Sequence, residues 1–188
     1  MTCIVGLEHQ GAVYVGADSS EVDIESMAAA TRSDTKVFLA GEGRFVIGFS
    51  GSWRVGQLLR YALKIPQQPA DKDDMAFMVT NFVDAVRTVQ KKKGTMKKEN
   101  EVEESDSDFV VGYRGKVYVV RADLAVARTV HDFGAVGSGE QVALGAMHAT
   151  RNRRIFPETR IKMALAAASE FCAGVRPPFH IVKLEPEE

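Results

Sequence analysis

Apolar and polar positions alternate from residue 2 to 8 (TCIVGLE) and again from 12 to 18 (AVYVGAD), with His9, Gln10 and Gly11 between them. Period-two alternation on either side of a short glycine-bearing loop predicts an antiparallel hairpin. A second hairpin is predicted from Lys36–Ala40 and Arg44–Phe49, joined at Gly41, Glu42 and Gly43. Residues 19–34, small and polar, read as a connecting loop. The period then becomes helical. Val55, Leu58, Leu59, Ala62 and Leu63 share one face behind Ser52, a candidate cap, and Pro66 closes the run. Asp73 or Asp74 starts a further helix whose stripe is Met75, Met78, Val79, Phe82, Val83 and Val86.

Residues 91–108 (KKKGTMKKENEVEESDSD) break the pattern and predict a solvated, mobile charged loop. Strands resume at 109–113, turn at Arg114-Gly115, return at 116–120, and extend through a third piece near 125–131. Gly134-Ala135-Val136-Gly137-Ser138-Gly139 leads into a helix of small residues. Pro157 suits the first position of a last helix carrying Ile161, Ala164, Leu165, Ala168, Phe171 and Cys172, and a strand near 179–184 ends the chain. Strand pairs alternating with helix pairs predict antiparallel sheets covered by helices on their outer faces, in one domain over 1–188.

Composition narrows the function. The chain has 188 residues, 45% apolar and 26% charged, with 24 Lys and Arg against 25 Asp and Glu. A formal net charge of -1 gives no general attraction to phosphate backbones or anionic lipid, so neither nucleic acid nor a membrane is expected as a partner. No stretch approaches the roughly 20 apolar residues of a membrane span. The two cysteines, Cys3 and Cys172, lie far apart without a secretory leader, which argues against a disulfide framework or a four-ligand zinc site and for the cytoplasm. Cys3 reads as a core strand residue and Cys172 as the buried last turn of a helix. The histidines show no metal-ligand spacing.

Centring the first hairpin on Gln10 sets Thr2 opposite Asp18, and centring the second on Glu42 sets Lys36 opposite Gly48. Neighbouring hairpins in one sheet would bring these four to a shared edge. An N-terminal threonine carries its own base, an α-amine of pKa about 7.7–8.0. A nearby Lys36 favours the neutral amine and stabilises developing negative charge, Asp18 holds the lysine, and a Gly48 N–H can serve as oxyanion donor.

These residues resemble those of the proteasome-type N-terminal-nucleophile hydrolases, which include proteasome β-subunits and the bacterial HslV-like peptidase that works with an ATP-driven unfoldase. The resemblance covers nearly the whole chain. It is carried by Thr2-Cys3-Ile4-Val5-Gly6, Gly16-Ala17-Asp18, Thr35-Lys36-Val37-Phe38 and Ile47-Gly48-Phe49-Ser50-Gly51-Ser52, then by Gly112-Tyr113-Arg114-Gly115-Lys116, Gly137-Ser138-Gly139 and the last helix. It implies a four-layer α/β/β/α sandwich of the α+β class and a threonine peptidase acting on peptides or unfolded proteins inside a homo-oligomeric ring or double ring. It implies no cofactor and no metal. Thr2 takes the role of nucleophile, Asp18 and Lys36 of charged supports, Gly48 of oxyanion donor, Ser138 of a hydrogen-bonding aid to the amine, and Glu170 the position of an aspartate. Ala173 stands where a serine follows, the segment before Lys36 is about two residues longer, and Val46 falls near the specificity pocket, implying an apolar or uncharged preference. Loss of Met1 alone is expected to expose the amine. With Met1 retained the chain would be a silent ring subunit, and a small-amide hydrolase of the same fold is a further alternative.

Overall fold

The computed structural model describes residues 1–23, 25–26, 28–99 and 102–186. The first hairpin is β1 (Ile4–His9) and β2 (Ala12–Ala17). Its turn holds Gln10 and Gly11, both at positive φ (50° and 79°), as a two-residue turn of the right twist requires. The hairpin is therefore centred between those residues, and Ile4 pairs with Ala17. The expected register shifts by one, so Cys3 and not Thr2 comes opposite Asp18. The expected connecting loop carries its own small hairpin, β3 (Ser20–Val22) with β4 (Ala29–Thr31); residues 24 and 27 of it lie outside the described residues.

β5 (Val37–Ala40) and β6 (Phe45–Gly51) form the next hairpin through a four-residue loop, so Val37 pairs with Gly48 and Lys36 falls opposite Phe49. Here too the register moves by one. Ser52 caps α1 (Trp53–Tyr61), its hydroxyl accepting from the Val55 N–H. Asp73 caps α2 (Asp74–Phe77), which passes through a π-helical turn at Met78–Phe82 into α3 (Val83–Lys92). The extra residue in that turn rotates the stripe. Phe77, Phe82, Val86 and Val89 are buried, while Met75 and Val79, expected inside, are 39% and 46% exposed.

The charged stretch 91–108 is built: it contains the end of α3, the strands β7 (Lys97–Glu99) and β8 (Val102–Glu104), and the start of β9, with residues 100–101 outside the described residues. β9 (Ser107–Tyr113) turns at Arg114 and Gly115 into β10 (Lys116–Val120), followed by the short β11 (Val126–Ala127). The stretch 134–139, expected only to lead into a helix, begins within a strand, β12 (Phe133–Val136). α4 (Glu140–Ala149), α5 (Pro157–Phe171) and β13 (His180–Leu184) complete the chain.

Among the described residues two large antiparallel sheets form, with strand orders β12-β1-β2-β13 and β11-β10-β9-β6-β5, besides the two-stranded β3-β4 and β7-β8. The two large hairpins thus lie in different sheets and not side by side in one. Their inner faces meet through a layer of Ile4, Val13, Val15, Val37, Val46, Val110 and Val117. α4 and α5 cover the outer face of the first sheet, and α1, α2 and α3 that of the second. These are the four layers expected. Alternation decides the faces: Val5 and Leu7 point to α5, Ile4 to the opposite sheet. On the other side Phe45 stacks on Tyr113 at 4.3 Å and on Phe82 at 5.6 Å, each ring contributing about 1.5–3 kcal/mol by burial. Gly16 and Gly48 allow the close approach of layers: a Cβ at Gly16 would strike Ile161 of α5, and one at Gly48 would strike Ile4 of the facing sheet.

Candidate active site

At one open end of the sandwich β1 and β2 of one sheet face the start of β5 and the end of β6 of the other. Thr2, Asp18 and Lys36 meet there, all buried, with Asp18 at 0% and Lys36 at 2% exposure. The Lys36 ammonium donates to both Asp18 oxygens at 3.0 Å and to Thr2 Oγ1 at 2.9 Å. Asp18 also accepts from the Cys3 N–H (2.9 Å), the Ser20 N–H (2.9 Å) and the Ser20 hydroxyl (2.8 Å). This bonding compensates the desolvation of a buried ion pair. Burial still holds the Lys36 ammonium below its ordinary pKa, against the opposing pull of Asp18.

The third corner is the turn before α4. Ser138 Oγ accepts from the Thr2 N–H at 3.1 Å and donates to Thr2 O at 3.2 Å, and the Gly139 N–H donates to the same oxygen at 3.2 Å. Gly137, at φ 99°, lies so close that a Cβ there would strike Thr2 O. Gly139, not the Ser138 side chain, occupies the helix cap. The Cys172 thiol donates to Ser138 O at 3.6 Å. Cys172 is the half-buried residue that ends α5, not part of its buried last turn.

Three expected features take different places. Glu170 is exposed on α5. The buried face of that helix runs through Ile161, Ala164, Leu165 and Ala168, and two further residues rotate the side chain about 200° away from it. Val46 is buried between the sheets, away from any open pocket. Gly48 is separated from the site by ladder geometry. The Phe49 N–H donates to Lys36 O and the Ser52 N–H to Asp106 O, so odd-numbered amides of β6 point toward the β5 side and even-numbered ones toward β9. The Gly48 amide therefore lies in the ladder against Val110. The same alternation turns the Gly51 N–H to the Lys36 side of β6, beyond the point where β5 begins at Val37.

Sequence reasoning missed Ser20, Gly51 and Gly139. Ser20 was legible in principle, since an Asp followed two residues later by a polar N–H is an Asx-turn pattern. Gly51 required the register. Cys3, beside Thr2, is no competing nucleophile: burial and the Asp18 charge push its thiol up to about 12. The Met1 carbonyl accepts from Thr2 Oγ1 at 2.7 Å, and with Met1 attached the Thr2 nitrogen is an amide that only donates. Burial and the Lys36 charge lower the pKa of the Met1 amine, and the Asp18 carboxylate opposes them. Among the described residues no helix is long and apolar enough to cross a membrane, and no group of three or more His, Cys, Asp or Glu is placed to hold a metal ion.

No protein-family model and no curated protein matches this sequence. Solved structures match it over nearly its whole length. BPH from Thiobacillus denitrificans is 21% identical with a TM-score of 0.78, covering 98% of this chain and 100% of that one. The same protein in complex with epoxomicin gives 20% and 0.77 over the same shares of the two chains. Eukaryotic HslV from Trypanosoma brucei is 18% identical with a TM-score of 0.69, covering 97% of this chain and 99% of that one. The fold is that of the HslV-like, proteasome-type N-terminal-nucleophile hydrolases.

Proposed function

We propose that this chain is a threonine peptidase whose nucleophile is Thr2 Oγ1 and whose base is the Thr2 α-amine, freed by cleavage of the Met1–Thr2 bond. The observation that carries this reading is the Lys36 ammonium held 2.9 Å from Thr2 Oγ1 while doubly bonded to a buried carboxylate. That cation lowers the pKa of an adjacent amine and of the hydroxyl it touches. Ser138 Oγ, within 3.1 Å of the same nitrogen, orients it.

In the first half-reaction the amine takes the Oγ1 proton as the oxygen attacks the peptide carbonyl carbon. The carbonyl oxygen becomes an oxyanion, for which the Gly51 N–H is the aligned donor in place of Gly48. Collapse breaks the C–N bond, the amine returns its proton to the departing peptide nitrogen, and an ester to Thr2 remains. Water, deprotonated by the same amine, then hydrolyses the ester. The epoxomicin complex of the structurally similar BPH supports a threonine-directed probe here. Assembly into a ring is part of the proposal, supported by exposed apolar side chains on helical surfaces, among them Met75, Val79, Met163 and Phe171.

Intact-mass measurement and a peptide assay test the reading together. The purified protein is expected to lack Met1, to hydrolyse fluorogenic peptides, and to be labelled by epoxomicin, with Thr2→Ala reducing both activities to background. Unchanged turnover by Thr2→Ala removes the nucleophile. The bond from Thr2 Oγ1 to the Met1 carbonyl favours a second reading, a silent subunit that keeps Met1; quantitative retention of Met1 with no labelling establishes it.

A further inference from the structure

Met1 occupies a place that the reaction itself needs. Its carbonyl accepts from Thr2 Oγ1 at 2.7 Å, and its side chain lies against Gly174, in the segment that follows α5. The contact is so close that a Cβ at Gly174 would strike Met1 Cβ and come within 2.9 and 3.0 Å of Met1 Cγ and Sδ. Gly174 is buried while Met1 is 39% exposed, so this side chain rests in a groove floored by backbone and open to the outside. Gly174 has no positive φ. Its conformation therefore does not call for glycine; the room above it does.

The floor is fixed to the charged centre. Ser20, 1% exposed, bonds through Oγ to Asp18 at 2.8 Å and also to Gly174 O. Nearby, the Ser19 N–H donates to Arg176 O at 3.1 Å and the Val175 N–H to Cys172 O at 2.9 Å. One hydroxyl thus ties Gly174 to the carboxylate that holds Lys36, and the groove keeps a set position relative to Thr2.

We infer that, once Met1 is gone, the Gly174 groove receives the side chain of the first residue of the leaving peptide, that it suits an unbranched apolar side chain of about the length of methionine, and that Gly174 keeps it open. This rests on the peptidase reading. The Thr2 amine returns a proton to the departing nitrogen, which must come within about 2.6–3.2 Å of it. Met1 is bonded to that same Thr2 nitrogen, so the leaving residue, bonded to the departing nitrogen, starts from the place Met1 holds. The acyl part lies on the other side of the attacked carbon, where its oxygen faces the Gly51 N–H on the second sheet. Attached, Met1 therefore acts twice: it turns the amine into an amide, and it fills the groove.

The test is a set of internally quenched peptides that differ only in carrying Gly, Ala, Met or Phe just after the scissile bond. They are assayed on wild type and Gly174→Ala, both checked by intact mass for loss of Met1. Wild type is expected to cleave the Met peptide with kcat/KM about tenfold above the Gly peptide, and Gly174→Ala to bring that ratio close to one. A wild type without this preference, or a ratio unchanged in Gly174→Ala whatever its overall rate, overturns the inference and leaves the peptidase reading standing. If Gly174→Ala does not fold or keeps Met1, acyl transfer by wild type decides alone. There an added amine replaces water: its nitrogen forms the new amide bond, the ester C–O bond breaks, and Thr2 Oγ1 regains a proton. Methionine amide is expected to capture the acyl group in preference to glycine amide, and equal capture overturns the inference. Wild type lacking Met1 that cleaves none of the peptides overturns the peptidase reading, and the inference with it.

Discussion

Lys36 shows how much of the candidate chemistry depends on one buried side chain. It lies between Thr2 Oγ1 and Asp18 with 2% exposure, and its pKa is held below the ordinary 10.5, chiefly by burial. Between the folded and unfolded values the unfolded chain carries more protons on this group, so its contribution to stability rises as pH climbs toward 10.5, and the penalty of the buried charge is complete below the folded value. The unfolding free energy of wild type relative to Lys36→Met is therefore expected to increase with pH across that window in urea titrations; a flat difference would contradict a depressed lysine. The identities of Thr2, Asp18, Lys36 and Ser138 were readable as residues. Their contacts were not, because a single residue in each turn decides which side chain faces which.

The elements were legible wherever local chemistry specifies them. Ser52 and Asp73 each cap a helix through their own side chains, and Pro157 begins α5. The π-helical turn at Met78–Phe82 was not legible, since its cost is local and its benefit lies in aiming both Phe77 and Phe82 at the core. Removing one residue from that turn should restore an ordinary α-helix with both rings still inward. Deletion of the exposed Val79 is accordingly expected to keep cooperative unfolding, whereas deletion of Ala85 rotates Val86 and Val89 by about 100° out of the core and should lower the melting temperature far more. Equal losses by thermal denaturation would show that the turn is not an insertion.

At the scale of the whole molecule, two sheets bring to one point residues that lie far apart in the chain, and exposed Phe171 (77%), Met163 (43%) and Val79 (46%) suit contact between copies. Native mass spectrometry is expected to show a closed multiple of the 20.6 kDa chain; a monomer at micromolar concentration would remove the ring from the proposal. Alternating polarity, helical stripes and caps are local properties, so the sequence alone determined most of the order of strand and helix pairs, the layered class and the candidate nucleophile Thr2 with Lys36 and Asp18 beside it in the proposal. Which sheet each hairpin joined, which glycine amide turned toward Lys36, and that Glu170 faced solvent depended on register, turn length and helical phase across distant segments. No single stretch of sequence contains those long-range relations; packing of the two sheets decided them.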